Sequence, residues 1–299
     1  MKTIDQETQK QCRVVLVGST GHVGSMVRRA WEVDPLSGVE AVYQTRSSVG
    51  LKHRDLAWSP LDGAKPLGAW VEMTGRVDAM VVLAGVIPAS GKDLFLNASI
   101  AQACIEAALS VGIKRVLLAS SSAVYGAGKD GPYCEDDVLH PEGEYGQSKV
   151  QMEAVCESLR DACIEICCLR IGNVAGADAL LLNAGKGNIK LDQFPSGGHP
   201  VRSYIGPGCL ARTLSSLVNS PLPLPHYINV AAPNSVSMKD IVEAAGVPWH
   251  PVIASEGRHE SITLDCGALS RFHAFSAEDS SAINMVEEWQ RLREAHDTI

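Results

Sequence analysis

Aromatic side chains make up only 5% of the 299 residues, and the five tryptophans, Trp31, Trp58, Trp70, Trp249 and Trp289, are scattered along the chain. They cannot be assembled into a platform on which successive bases stack. Basic residues are also short: 26 Lys and Arg face 34 Asp and Glu, for a formal charge of −8. That balance leaves no broad face for neutralising a nucleic-acid backbone, although it permits a local cationic pocket for one phosphate. Nucleic acid is therefore not an expected partner. Apolar runs such as 79–86 fall well short of the roughly 18 residues that span a bilayer, so no membrane partner is expected either. The polar stretch 1–11 lacks the basic-then-apolar pattern of a leader, and residues 1–12 read as a flexible tail.

Cysteine is present nine times, but in no metal-binding or disulfide pattern. The number is odd, there is no C-x-x-C pair, and no histidine stands at a zinc-ligand spacing, so no metal site is expected. Cys163, Cys167 and Cys168 flank an apolar segment, where cysteine behaves as a small hydrophobe. Buried thiols of this kind point to a reducing, cytoplasmic location.

What the sequence does contain is a rhythm. Short β-branched runs at 13–17, 39–45, 77–84, 115–120 and 164–171 alternate with helix-length stretches at 23–33, 93–111 and 144–161. In the second helical stretch Leu94, Ala98, Ala101, Ile105 and Ala108 recur at three- and four-residue steps and form one apolar stripe. This alternation predicts an α/β fold, a Rossmann-type doubly wound parallel sheet formed by residues 13–172 and 201–231. Residues 173–200 and 232–299 read as a small C-terminal substrate lobe. In such sheets ligands bind beyond the carboxyl ends of the strands, so the residues just past each strand are the informative ones.

Past the first run stands Gly18-Ser19-Thr20-Gly21-His22-Val23-Gly24. Glycines at these places allow a tight turn, close approach of a pyrophosphate, and packing of the next helix on the sheet; that helix then turns free N–H groups toward the anion. Past the second run stand Thr45, Arg46, Ser47 and Ser48, with no carboxylate to hold the ribose hydroxyls of NAD. A guanidinium among hydroxyls suits a 2′-phosphate, which favours NADP over NAD. Tyr145 and Lys149 lie four apart on a predicted helix and share a face, and a nearby ammonium favours the phenolate that acid–base work requires. Ser120, Ser121 and Ser122 follow a central strand, where a substrate oxygen needs a hydrogen-bond partner.

Together these motifs resemble the extended short-chain dehydrogenase/reductase family, in its NAD-dependent epimerase/dehydratase branch. Gly18–Gly24 matches its G-x-x-G-x-x-G loop. Asp55-Leu56 is similar to its adenine-side pair, Leu83-Ala84-Gly85 to the turn after its fourth strand, and Asn97 to its helix asparagine. Tyr145-Gly146-Gln147-Ser148-Lys149 supplies Y-x-x-x-K, 24 residues after Ser121. The resemblance implies that Ser121 hydrogen-bonds the substrate oxygen and Tyr145 moves the proton. Lys149 would hold the nicotinamide ribose and keep the tyrosine acidic. Ser122, Asn173 and Arg202 become candidate substrate contacts, and the helices at 93–111 and 144–161 imply a homodimer.

Departures narrow the chemistry. Ser122-Ala123 stands where 4,6-dehydratases carry Asp-Glu, and Ala123 where epimerising reductases carry Cys. Gly206-Pro207-Gly208-Cys209 replaces an acidic pair, and only 29 positions separate Asn173 from Arg202, which points to a smaller substrate. The expected activity is hydride transfer to or from a secondary alcohol or carbonyl of a sugar, a nucleotide sugar or a similar small polar compound. A nucleotide-sugar 4-epimerase with retained cofactor, and a non-catalytic NADP sensor, are the alternatives.

Overall fold

Val14 and Leu16 leave the first strand on one side, Val15 and Val17 on the other, and all four are fully buried. A strand so enclosed belongs inside a sheet covered on both faces. In the computed structural model, which describes residues 11–34, 38–160, 163–184 and 189–297, this strand is β1 (Cys12–Val17), followed by α1 (His22–Val33), β2 (Val39–Thr45), β3 (Asp55–Ala57), α2 (Lys65–Thr74), β4 (Ala79–Val82) and α3 (Leu96–Ser110). Then come β5 (Arg115–Ser121), α4 (Glu144–Ser158), β6 (Glu165–Ile171), β7 (Asn173–Val174), α5 (Ala179–Leu182) and β8 (Ile189–Gln193). The chain continues through β9 (Val201–Arg202), β10 (Tyr204–Ile205), α6 (Pro207–Asn219), β11 (Tyr227–Val230) and β12 (Val236–Ser237). It ends with α7 (Met238–Ala244), β13 (Trp249–Ile253), β14 (Ser261–Ile262) and α8 (Ala282–Asp297).

Seven strands form one parallel sheet in the order β11-β6-β5-β4-β1-β2-β3. The order reverses between β1 and β4, the switch point at which a doubly wound sheet opens a crevice. One face buries Val14 and Leu16 with Val27 and Trp31 of α1 and Leu210 and Leu214 of α6. The other buries Val15 and Val17 with Leu67 of α2, Ile105 of α3 and Met152 of α4. The Rossmann-type architecture read from the alternation is therefore the architecture of the molecule. A third apolar cluster joins Leu180, Leu191, Tyr204, Ile241 and Met285 beyond the sheet's carboxyl edge. Short strands there make small sheets: the two-residue β9 lies between β12 and β14, and the five-residue β8 lies beside β13.

Several boundaries differ from the sequence reading, each for a local reason. Cys12 is not tail but the first residue of β1, its N–H bonded to the Gly38 carbonyl; of the rest of the tail, residues 1–10 lie outside the described residues. β4 covers only Ala79–Val82, because Leu83 and Ala84 both turn their N–H groups onto the Val17 carbonyl. α3 starts at Leu96 rather than 93, and of its alanines Ala101, Ala107 and Ala108 are buried against the sheet. The predicted third helix ends at Ser158, and Asp161 lies outside the described residues. Cys163 is exposed, contrary to its reading as an apolar filler, whereas Cys104, Cys156, Cys167, Cys168, Cys209 and Cys266 are buried. Among the described residues no helix is long and apolar enough to cross a membrane.

Candidate active site

The glycine turn is built by contact. Gly18 has φ +84°, and a β carbon there would stand 2.4 Å from the Ala84 backbone nitrogen; at Gly24 it would stand 2.0 Å from the Gly18 carbonyl oxygen. Gly21 caps α1 without any side-chain hydrogen bond, so the helix presents its first N–H groups and positive dipole end to the crevice. Thr20, Gly21 and His22 are exposed, Val23 is half-buried, and Ser19 is buried. This cradle fits a dinucleotide pyrophosphate.

Gln44 holds the turn from below and was not anticipated from the sequence. Its Oε1 accepts the Gly18 N–H at 2.9 Å, its carbonyl accepts the Ser19 hydroxyl at 2.7 Å, and its amide donates to the Trp58 carbonyl. A buried glutamine on a strand carries no sequence signature, since its role appears only when three strands are brought together. Arg46 follows β2 and is exposed. The loop behind it is shaped by Thr45 and Ser47, whose hydroxyls accept the Ser47 and Val49 N–H groups.

Asp55 and Leu56, expected on the adenine side, lie on the edge strand β3. Asp55 opens β3 level with Tyr43, short of the ligand edge; its carboxylate pairs with Arg28 of α1 at 3.1 Å and accepts the Lys52 N–H. Leu56 is buried among Val42, Trp58 and Leu67. Both residues tie the edge strand to the core.

On the other side of the switch point, Ser121 and Tyr145 meet: the tyrosine hydroxyl hydrogen-bonds the Ser121 side chain, which lowers its pKa against the larger upward push of burial. Ser121 sits at the carboxyl end of β5, and its hydroxyl also accepts the Ala123 N–H, capping the 3-10 turn Ser122–Val124. Lys149, one turn beyond Tyr145 on α4, is buried, with its Nζ 5.9 Å from the tyrosine ring centre and donating to the Ala119 carbonyl at 2.8 Å. Burial pulls the lysine down to about 8, partly opposed by nearby groups including Glu153. A β carbon on Gly85 would meet Asn97 Oδ1 at 2.9 Å and Lys149 Nζ at 3.5 Å. Asn97 fixes this turn by accepting the Val86 N–H, donating to the Val86 carbonyl, and donating to Ser148, whose hydroxyl bonds the Tyr145 carbonyl. The asparagine thus sets the distance between the Leu83–Gly85 turn and α4.

Beneath the serines runs a buried polar chain that periodicity does not reveal. Ser120 donates to Glu153 at 2.6 Å, and Arg170 grips both oxygens of Glu153 at 3.1 and 2.9 Å. Arg170 also bonds the Tyr125 hydroxyl, which donates to Asn229 at 2.7 Å. Such a pair is tolerated inside a protein only when every remaining donor and acceptor is met.

A cavity of about 530 Å³ opens next to this edge, lined among others by Glu142, Asn173, Lys190, Asp192, Arg202 and Arg258. Arg202 donates to the carbonyls of Val201, His259 and Glu260; no carboxylate pairs with it among the described residues, and burial lowers its pKa. Arg258 pairs with Asp192 at 2.9 Å. Asn173 hydrogen-bonds Tyr204. The structure therefore brings Asn173 and Arg202 into one cavity, while Ser122 remains beside Ser121 and does not line it. Lys190 and Arg258 went unnoticed in the sequence because the parallel pairing of β8 with β13 and the loop before β14 carry no local signal.

Residues 14–190 match the model of the NAD dependent epimerase/dehydratase family. A UDP-glucose 4-epimerase of Azospirillum brasilense is 34% identical over 186 residues, covering 58% of this chain and 52% of the relative. UDP-glucose 4-epimerase 2 of Oryza sativa subsp. japonica is 29% identical over 187 residues, 55% of this chain and 45% of the relative. The matches thus span about half the length of these relatives. The fold is shared with a UDP-glucose-4-epimerase from Stenotrophomonas maltophila with bound NAD and formylated UDP-arabinopyranose (TM-score 0.75, 17% identity, 96% of this chain and 100% of the other). It is also shared with MoeE5 in complex with UDP-glucuronic acid and NAD (TM-score 0.71, 19% identity, 93% and 99%). With its glycine turn, doubly wound sheet and matching family model, the chain belongs to the NAD-dependent epimerase/dehydratase family of extended short-chain dehydrogenases/reductases.

Proposed function

We propose that this protein is a dinucleotide-dependent enzyme acting at a secondary hydroxyl carbon of a nucleoside diphosphate sugar, with 4-epimerisation as its reaction. The observation that carries this reading is the meeting of Tyr145 with Ser121 at the carboxyl end of β5, in a molecule whose cavity is walled by Lys190, Arg202 and Arg258. With Arg258 paired to Asp192, Lys190 and Arg202 remain as cations that suit a pyrophosphate better than a free sugar, which enlarges the substrate expected from the short interval between Asn173 and Arg202. The similarity to 4-epimerases supports the same choice.

The dinucleotide, when bound, supplies the acceptor and donor of hydride. Gly18, Gly21 and Gly24 would hold its pyrophosphate, and Gly85 and Lys149 its nicotinamide end. Ser121 donates a hydrogen bond to the reacting oxygen and fixes its distance from the tyrosine. Tyr145 Oη takes the proton as the alcohol is oxidised and returns it on reduction. A protonated Lys149 stabilises the phenolate through the low-dielectric gap between them. Alignment of these groups is the protein's main contribution. Tyr145→Phe should lower interconversion of UDP-glucose and UDP-galactose, followed by proton NMR, by at least about 100-fold, the usual scale of acid–base catalysis. Unchanged turnover would overturn the assignment.

Arg46 supports NADP as the dinucleotide, since Thr45 to Arg54 offers no carboxylate to a ribose hydroxyl. In calorimetric titrations Arg46→Ala should cost NADP roughly tenfold in affinity relative to NAD. The buried thiols support a reducing, cytoplasmic setting.

A further inference from the structure

The charges around the cavity are unevenly satisfied. Its two carboxylates are Asp192 and Glu142. Asp192 is neutralised by Arg258 at 2.9 Å, whereas Glu142 is exposed and has no ion-pair or hydrogen-bond partner among the described residues. Position separates them as well. Asp192 lies on β8, the wall that also provides Lys190. Glu142 directly precedes Gly143, the cap of α4, and stands three residues before Tyr145. Gly126, just past the Ser122–Val124 turn, has φ +74°, and a β carbon there would come within 3.5 Å of Glu142 Cγ. Glu142 therefore belongs to the reacting end of the cavity and the cations to its other walls.

We infer that Glu142 selects the sugar by charge, accepting rings that bear hydroxyl or amino groups and rejecting those that bear a carboxylate. The inference rests on the nucleotide-sugar reading and deepens it. An unneutralised carboxylate accepts hydrogen bonds from ring hydroxyls and pairs with an ammonium, but it repels a uronate held beside it. A wall of cations around a pyrophosphate cannot make this distinction, because every nucleoside diphosphate sugar satisfies it equally.

The test is calorimetric titration of the NADP-loaded wild-type protein, Glu142→Gln and Glu142→Arg with UDP, UDP-glucose, UDP-glucosamine and UDP-glucuronate. The wild type should bind UDP-glucuronate at least about tenfold more weakly than UDP-glucose, equivalent to one decade in Kd. UDP-glucosamine should bind more tightly than UDP-glucose. The glucuronate-to-glucose ratio should approach one in Glu142→Gln and invert in Glu142→Arg. Binding of UDP with the same sugar ratios in all three proteins would overturn the inference while leaving the nucleotide-sugar reading intact. Failure of UDP and all three sugars to bind any of the proteins would overturn that reading, and the inference with it.

Discussion

Lys149 shows how far a single side chain can stand against the stability of its own fold. It is buried, its charge is disfavoured enough to bring its pKa to about 8, and its Nζ bonds one carbonyl, that of Ala119. Since the unfolded chain keeps this proton up to the ordinary lysine range, the folded state binds fewer protons between about pH 8 and 10.5. Stability attributable to this group therefore rises with pH across that window, and its penalty is fully present below it. Lys149→Met should stabilise the protein by roughly 1–3 kcal/mol at pH 7, a gain that shrinks toward pH 10 and that urea unfolding at the two pH values will measure. Turnover should be lost. The spacing of Tyr145 and Lys149 was legible in the sequence because a helix converts four residues into one face. Gln44 and Glu153 were not, because each acts across strands that only the fold makes neighbours.

At the scale of elements, the sequence showed long periodic segments well and short ones hardly at all. β1, β2, β5 and β6 are apolar runs enclosed by helices, so their composition announces them. β3, with three residues, and the two-residue strands around Arg202 are held by their partners rather than by propensity. The acidic pair missing after Ile205 has a similar explanation. Glu288 of α8 reaches across to accept the N–H groups of Gly208 and Cys209 at 3.0 and 3.1 Å and to meet Arg212 at 3.1 Å. A carboxylate from a distant helix thus caps α6, and Gly206 and Gly208 leave space for it, since β carbons there would stand 2.2 and 2.7 Å from its oxygens. Glu288→Ala should destabilise the protein by about 2–4 kcal/mol, because two helix N–H groups and a guanidinium lose a buried partner. Glu288→Gln should recover part of that loss in chemical denaturation.

For the whole molecule, α3 and α4 lie side by side on one face of the sheet. The alanines expected to line a subunit contact are largely turned inward, leaving Ser99, Gln102 and Glu106 of α3 and Gln151 and Ala154 of α4 exposed. That surface is polar and small-chained, and we expect it to pair with its own copy. Light scattering coupled to size exclusion should give a dimer for the wild type and a monomer for Ser99→Arg, whose bulk and charge would be opposed by a second copy of themselves. The chain of bonds from Ser120 through Glu153, Arg170 and Tyr125 to Asn229 spans β5, α4, β6 and β11. Opening any one of these elements strands the charges of the others, so this half of the sheet has no inexpensive partial unfolding available. Proteolytic nicking and local breathing are therefore directed away from the edge that carries Ser121 and Tyr145, toward the exposed loop behind Arg46 and the rim of the cavity.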